Sequence, residues 1–447
     1  MKIALIYPNI GKKGDNLFLD GARMEPLGLA VLAGLTPHGI DVELYDDRLE
    51  EIPYTKPFDL VAITVQIYTA RRSYEIADVF RKRGVTVILG GIHVTLAPEE
   101  AAGHADSIVL GDAEPLWQTI IGDCRSNRLQ PRYTCSFGGN PQNNVLPRRD
   151  LYAGKKYLPV SLIQFSRGCR NQCDFCASSI YFQKQQYTRG PGEVVREIAA
   201  QKRKLLFFVD DNIVADTSAA KELFRALIPL RIRWVSQASM DMLDDGELMT
   251  LMVKSGCMGN VIGFESISAD SINAMNKKTN KQHITDHYIY AVKELRRYGL
   301  QTWAAFSVGH DSDTPESIRE TCLFALRNKF TFAAFNILNP YPGTPLYDRL
   351  QAEGRLLYSG VWWLHPEYRF NYASFTPKRM TADELTNVSF WCRNKFNSPG
   401  SILRRAFEPG TNMRTPYRFF TYAVYNPLFR REVFNKQGIS FGYGEER

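Results

Sequence analysis

The stretch "SRGCRNQCDFCAS", residues 166–178, places Cys169, Cys173 and Cys176 within eight residues, flanked by Arg167, Gly168 and Phe175. It follows an apolar run, "VSLIQFS" at 160–166, of the kind that forms a buried strand. Three thiols at spacings of four and three are one short of the four ligands that close a structural zinc site. Zinc motifs usually come as paired couplets, and the chain has no second couplet. A cluster of four irons also takes thiolates, and three of them leave one iron open to bind another molecule directly. A zinc or plain electron-transfer site is the alternative reading.

Outward from the cysteines, further strand candidates follow at 205–210, 233–239, 260–266, 301–309 and 332–338, separated by helical stretches such as "PGEVVREIAAQKRK". Six βα units over residues 159–345 predict an α/β domain, a partial TIM-like barrel. In such barrels the site gathers where strands end, so polar residues closing apolar strands carry information. Here they are Asp210, Asp211 and Asn212, then Gln237 and Ser239, then Glu265 and Ser266, then Ser307, His310 and Asp311. Taken singly, each reads equally well as a cap or loop anchor. As a set they outline a ligand site, with Asp211, Glu265 and His310 as catalytic candidates.

Residues 1–125 repeat the same grammar in five strands, "KIALIYP", "DVELYD", "DLVAITV", "VTVILGG" and "SIVLG", which predicts a doubly wound, Rossmann-like domain. Its ligand edge is expected at the strand C-termini, which carry "YPN", Asp46, Gln66 and the run Gly90, Gly91, Ile92, His93. Residues 126–158, rich in Pro, Gly, Asn and basic residues, read as a linker. Residues 346–447 are expected to form a helical extension, opened by a capping box of Thr381 with Glu384. From Arg404 onward this tail interleaves basic and aromatic residues, which suits a lid over the barrel mouth, with a plain structural extension or a peripheral membrane contact as the alternatives. Trp362, Trp363 and His365 read as a substrate wall or as a seal between domains.

With 447 residues, 44% hydrophobic and 12% aromatic, the chain can bury a sizeable core. A net charge of +8 permits an anionic ligand without demanding nucleic acid, and none is expected. The opening "MKIALIYPNI" lacks a signal peptide's long apolar core, and no run of about 18 uncharged apolar residues occurs, so a cytoplasmic enzyme is expected.

The Cx3CxΦC arrangement, with Phe175 as the aromatic, directly after the first strand of a βα series, resembles the radical S-adenosylmethionine (SAM) superfamily. The preceding "PLGLAVLAGL", "GGIHVTLAPEE" and "VLGDAEPLW" resemble its cobalamin-binding-domain class, over about residues 1–340. The resemblance implies a 4Fe–4S cluster on Cys169, Cys173 and Cys176 and SAM bound to the open iron through its methionyl amino and carboxylate groups. It further implies reductive cleavage to a 5'-deoxyadenosyl radical, fed by a low-potential donor such as flavodoxin or ferredoxin. Phe175, Asp210, Gln237, Ser239 and Glu265 then become candidates for binding SAM, and Gly90, Gly91 and His93 for binding cobalamin. The implied reactions are methylation of an unactivated carbon or phosphorus in a small molecule or lipid, or ring-forming oxidation as in the anaerobic chlorophyll-pathway cyclase.

One departure stands out. The loop after the first strand, "YPNIGKKGDNLFLDGARMEPLG", has no DxHxxG motif and no histidine to offer cobalt, so cobalamin is expected without a histidine ligand, if the domain is not a vestigial scaffold for cobalamin-free chemistry. Methylthiotransferases of transfer RNA share the cysteine triplet but need three further N-terminal cysteines, whereas the first cysteine here is Cys124. Cys257, Cys322 and Cys392 are isolated in sequence and read as buried small hydrophobes rather than an auxiliary cluster. A non-catalytic cobalamin or metal carrier is the reading from another class, and the polar strand ends argue against it.

Overall fold

Two wholly parallel six-stranded sheets organise the chain in the computed structural model, which describes residues 1–14, 16–17, 23–135, 145–277 and 284–444. The first sheet contains β1 (Lys2–Tyr7), β2 (Asp41–Asp46), β3 (Leu60–Thr64), β4 (Thr86–Gly90), β5 (Ser107–Leu110) and β6 (Arg132–Thr134), in the order β2-β1-β3-β4-β5-β6. Its strands are continuous apolar runs because both faces are covered. Leu29, Ala30 and Ala33 of the helix Leu27–Leu35 join Trp117, Ile120 and Ile121 on one face, and Ile76, Ala77 and Phe80 of the helix Ala70–Lys82 lie on the other. The doubly wound expectation holds. A sixth strand, β6, comes from the stretch read as linker; its short alternating Arg-Tyr-Thr buries only Tyr133, too weak a pattern to stand out. Residues 136–144 of that stretch lie outside the described residues.

The second sheet contains β7 (Ser161–Ile163), β8 (Leu205–Phe208), β9 (Arg233–Ala238), β10 (Cys257–Glu265), β11 (Gln301–Val308) and β12 (Phe332–Ile337), in consecutive order from β12 back to β7. Each strand after β7 is preceded by at least one helix, and among the described residues β7 and β12 do not pair, so the barrel is partial. Alternation sorts the side chains. Leu206, Phe208, Trp234 and Ile262 pack beneath the outer helices, while Leu205, Phe207, Val235 and Val261 line the lumen. The expected cap at Thr314 is present: its side chain accepts from Ser317 N–H, with Pro315 in the first turn.

The C-terminal extension embraces both domains. Its helix Ala382–Phe396 opens with the Thr381–Glu384 capping box, and Ser389 Oγ and Arg393 Nε each donate to the Phe335 carbonyl of β12 at 3.0 Å. Cys322 and Cys392, far apart in sequence, meet between this helix and Pro315–Arg327, thiol beside thiol and fully buried. Trp362 and Trp363 seal the domain junction; their indole N–H groups donate to Pro340 O at 3.1 Å and to Glu100 at 3.0 Å, and both rings join the core of the first sheet. His365 stays at the rim, its Nδ1 accepting from Glu367 N–H at 3.3 Å.

The lid expectation for the tail is overturned. Arg405 donates to Phe330 O at 3.0 Å and Thr331 O at 2.8 Å, and Arg418 donates to Met258 O at 3.1 Å and to Gly299 O. Those carbonyls sit where β10, β11 and β12 begin, so the helices Pro399–Ala406 and Pro416–Lys436 form the floor of the barrel, opposite the cysteines. The reason is hydrogen-bond supply: strand starts leave unpaired carbonyls, and buried guanidinium groups satisfy them. No described helix is long and apolar enough to cross a membrane.

Candidate active site

The cysteine loop is clasped rather than free. A two-stranded hairpin pairs Ser166–Gly168 with Gln186–Thr188, and Gly168, at φ 82°, turns where the Gln185 carbonyl fills the space of any Cβ. The two aspartates that end β8 hold the loop from both sides of the motif. Asp210, with no exposure, accepts from Ser166 Oγ at 2.6 Å, from Phe165 N–H at 3.2 Å and from Ser166 N–H. Burial pushes its carboxyl up to about 7 against those hydrogen bonds. Asp211 accepts from Gly168 N–H at 2.9 Å and Ser178 Oγ at 2.7 Å. Both acids are thus occupied as loop anchors.

The thiols themselves are half-buried, and burial pushes Cys169 up and Cys173 up to about 12, each raised further by its neighbouring thiols, while Lys277 pulls Cys173 down. Thiols in such a place become ligands only against strong positive charge, which iron supplies. Among the described residues no three His, Cys, Asp or Glu groups are spaced for a single ion. Sulfurs sharing one zinc would stand about 3.8 Å apart, from a Zn–S bond of about 2.3 Å and tetrahedral angles. Three thiols on one loop, with Lys277 in electrostatic reach of Cys173 and Cys176, are the donor set that a four-iron cluster with one open corner takes.

Above the thiols, Glu265 ends β10 at φ 61°, a left-handed conformation costly for a non-glycine residue. It accepts from Ser307 Oγ at 2.7 Å and pairs with Lys277, whose ammonium also donates to Gly263 O at 3.0 Å. A Cβ on Gly263 would overlap both Glu265 Oε1 and Lys277 Nζ, so this glycine makes the room the pair occupies. Lys277 lies within electrostatic reach of Cys173 and Cys176 as well. His310 is buried; its backbone N–H donates to Asp313 at 3.0 Å, burial holds the imidazole below its ordinary pKa, and Nε2 has no partner. Such an orphaned polar atom beside Glu265 and Asp174 fits a bound ligand. Gln237 donates to Asp210 O at 3.3 Å, and Ser239 Oγ accepts from Asn212 Nδ2 at 2.8 Å. Phe175 packs against the barrel core.

The two domains meet at their strand C-termini. Tyr68, just past β3, accepts from Asn339 Nδ2 and donates to Tyr341, both beyond the end of β12, and Tyr341 lies within electrostatic reach of Cys176. On the same edge His93 is fully buried with Nε2 bonded to Glu100 at 2.9 Å, a carboxylate that also accepts from Tyr74 and Trp363; Nδ1 has no partner. Gly91, at φ 108°, is required by β3: a Cβ would come within 2.7 Å of Val65 O. Gly90 has only ordinary contact beside it, at 3.7 Å from Val109. The double glycine thus serves strand packing first.

Sequence reasoning missed a charged tie between the domains. Arg167, inside the cysteine motif, reaches Asp112 Oδ2 at 3.0 Å and Glu114 in the first domain, with Nε on Gln164 at 2.8 Å, and Tyr181 OH donates to Asp112 at 3.2 Å. Lys277 was missed too, since its helical neighbourhood reads as an ordinary basic stretch.

These two edges match known proteins. Residues 163–325 match the Radical SAM superfamily model and residues 20–120 the B12 binding domain model. The chain is 32% identical over 360 residues to the bacteriochlorophyllide d C-8(2)-methyltransferase of Chlorobaculum tepidum, covering 75% of this chain and 78% of that one. The chain belongs to the radical SAM superfamily. It is a radical SAM enzyme of the class that carries a B12-binding domain, a methyltransferase whose family uses a 4Fe–4S cluster and SAM. The bacteriochlorophyllide d C-12(1)-methyltransferase of the same organism is 29% identical over 90% of this chain and 89% of its own. Among solved structures, the radical SAM methyltransferase TsrM of Kitasatospora setae, with cobalamin and a 4Fe–4S cluster bound, superposes with a TM-score of 0.64 at 18% identity, over 79% of this chain and 75% of that chain, and shares the fold.

Proposed function

We propose that this radical SAM enzyme methylates an unactivated carbon of a large hydrophobic small molecule, with a side chain of a cyclic tetrapyrrole as the foremost acceptor, using cobalamin as methyl carrier. The observation that carries the reading is the meeting of the two strand edges, where Cys176, Tyr341 and Tyr68 run in sequence from the cluster loop to the B12-binding sheet. Bound cluster and SAM supply a carbon radical; bound cobalamin supplies the methyl group. The chain's residues bind, orient and exclude water. Cys169, Cys173 and Cys176 hold the cluster, Asp210 and Asp211 fix their loop, and Lys277 with Glu265 and Ser307 receives the polar end of SAM. His310, neutral and with Nε2 free of protein partners, faces the same ligand. Gln66 and Tyr68 at the β3 edge would hold the corrin of a bound cobalamin, and His93 Nε2 is already engaged by Glu100. The acceptor class rests on the two bacteriochlorophyllide d methyltransferases.

The test is protein purified from cobalamin-supplemented cells, reconstituted anaerobically with iron and sulfide, then reduced with methyl-labelled SAM and a bacteriochlorophyllide. Bound cobalamin in the spectrum, 5'-deoxyadenosine and labelled pigment are expected. Deoxyadenosine without cobalamin or label would move the chain to cobalamin-free radical chemistry.

A further inference from the structure

The floor of the barrel has a second face, turned away from the lumen. Along the helix Pro416–Lys436, Tyr422, Tyr425 and Phe429 line an apolar cavity of about 140 Å³ in the lower barrel, where Phe429 meets Trp303 and Phe332 with ring centroids 4.8 Å away. Phe420, Val424, Pro427 and Arg431 recur at helical spacing on the opposite side and are exposed, Phe420 by 65% and Val424 by 47%. The helix Pro399–Ala406 is tied alongside through Arg405 to Asn426 and Tyr422 OH to Ile402 O, and it presents Leu403 at 63% with Phe407 just beyond at 54%. Met413 and Phe419 are exposed between them.

Charge on this segment has one sign. Residues 399–436 contain six arginines, one lysine and only two acids, Glu408 and Glu432, and both acids are buried. Arg404, Arg414 and Arg431 are exposed among the apolar side chains. An apolar stripe set among basic groups, on a helix that does not cross a membrane, is the pattern of an element lying in a lipid interface. A protein partner of ordinary polarity would leave these arginines without counter-charges, whereas anionic headgroups supply them over the whole patch.

We infer that the outer face of the helices Pro399–Ala406 and Pro416–Lys436 docks on an anionic lipid bilayer. Apolar side chains enter the headgroup boundary while Arg404, Arg414 and Arg431 meet lipid phosphates, and the cysteine loop at the other end of the barrel stays in water. The inference goes beyond the methyl transfer proposed above and is tested without it.

The experiment is co-sedimentation of the reconstituted protein with phosphatidylcholine vesicles, with and without phosphatidylglycerol. The expected result is sedimentation with the phosphatidylglycerol vesicles only, weakened by salt. The variant Phe420→Asp with Val424→Asp is expected to reduce binding at least tenfold with iron content and helical circular dichroism unchanged. Arg404→Glu with Arg431→Glu, two exposed groups whose change alters charge and leaves the packed face in place, is expected to do the same. Failure of the unaltered protein to bind phosphatidylglycerol vesicles, or equal binding by both variants, would overturn the inference. So would a dimer of the unaltered protein that the Phe420→Asp, Val424→Asp variant converts to monomers, since the face would then belong to a second copy.

Discussion

Cys173→Ala is expected to remove iron from the protein and to reduce 5'-deoxyadenosine formation at least about 1,000-fold, more than about 4 kcal/mol of lost activation. Three thiols are all the chain offers at this loop, so two cannot hold a four-iron cluster with one corner still open. The loop survives the change, because its fixed points lie elsewhere: Asp210 on Ser166, Asp211 on Gly168 and Ser178, and Asp174 N–H on Met275 O at 3.2 Å. Iron analysis and product chromatography on anaerobically reconstituted protein check this. A variant that is folded, free of cluster absorbance and inactive fits the account; one that retains SAM cleavage contradicts it.

The second large effect concerns Arg167. Its side chain, 12% exposed, is shared between Asp112 and Glu114, which are 25% and 10% exposed. Arg167→Ala leaves two carboxylates in a poorly solvated junction without their counter-charge, and removing one partner of a buried pair costs about 3–5 kcal/mol. Denaturant titration is expected to show a loss near the lower end of that range, because Asp112 retains partial access to water. Asp112→Asn combined with Glu114→Gln in the Arg167→Ala background is expected to recover part of it, since the uncompensated charges are then gone. The consequence for catalysis is positional. Arg167 stands two residues before Cys169, so the first domain grips the cluster loop directly, and methyl transfer between the two edges is expected to suffer more than SAM cleavage.

The parts of this protein that are legible from sequence are those written in local chemistry. The cysteine triplet, the apolar strands of both sheets, and the Thr314 and Thr381 caps each depend on residues a few positions apart. The strand-end set Asp210, Asp211, Gln237, Ser239, Glu265 and His310 was legible as a location but not as roles. Asp210 reads as a ligand for SAM, yet its oxygens are filled by Ser166 and Phe165, because a loop carrying three thiols needs anchors of its own. What stayed hidden depends on distant pairing: Arg167 with Glu114, 53 positions apart, and Cys322 with Cys392, 70 apart. The tail reads as a lid because basic and aromatic residues suit either end of a barrel. Only the carbonyls left open at the start of β10 and β12 decide which end attracts Arg405 and Arg418. Glu265 has no sequence signal for its left-handed backbone, since that conformation is imposed by the bulge between β10 and β11.

The most direct test of the central claim, that three thiolates leave one iron for SAM, is electron–nuclear double resonance on the reduced protein with SAM labelled with oxygen-17 in its carboxylate. The account predicts a hyperfine coupling between the label and the cluster, weakened or lost in Lys277→Ala. A cluster spectrum indifferent to labelled SAM, with a fourth protein ligand on the iron, would contradict it.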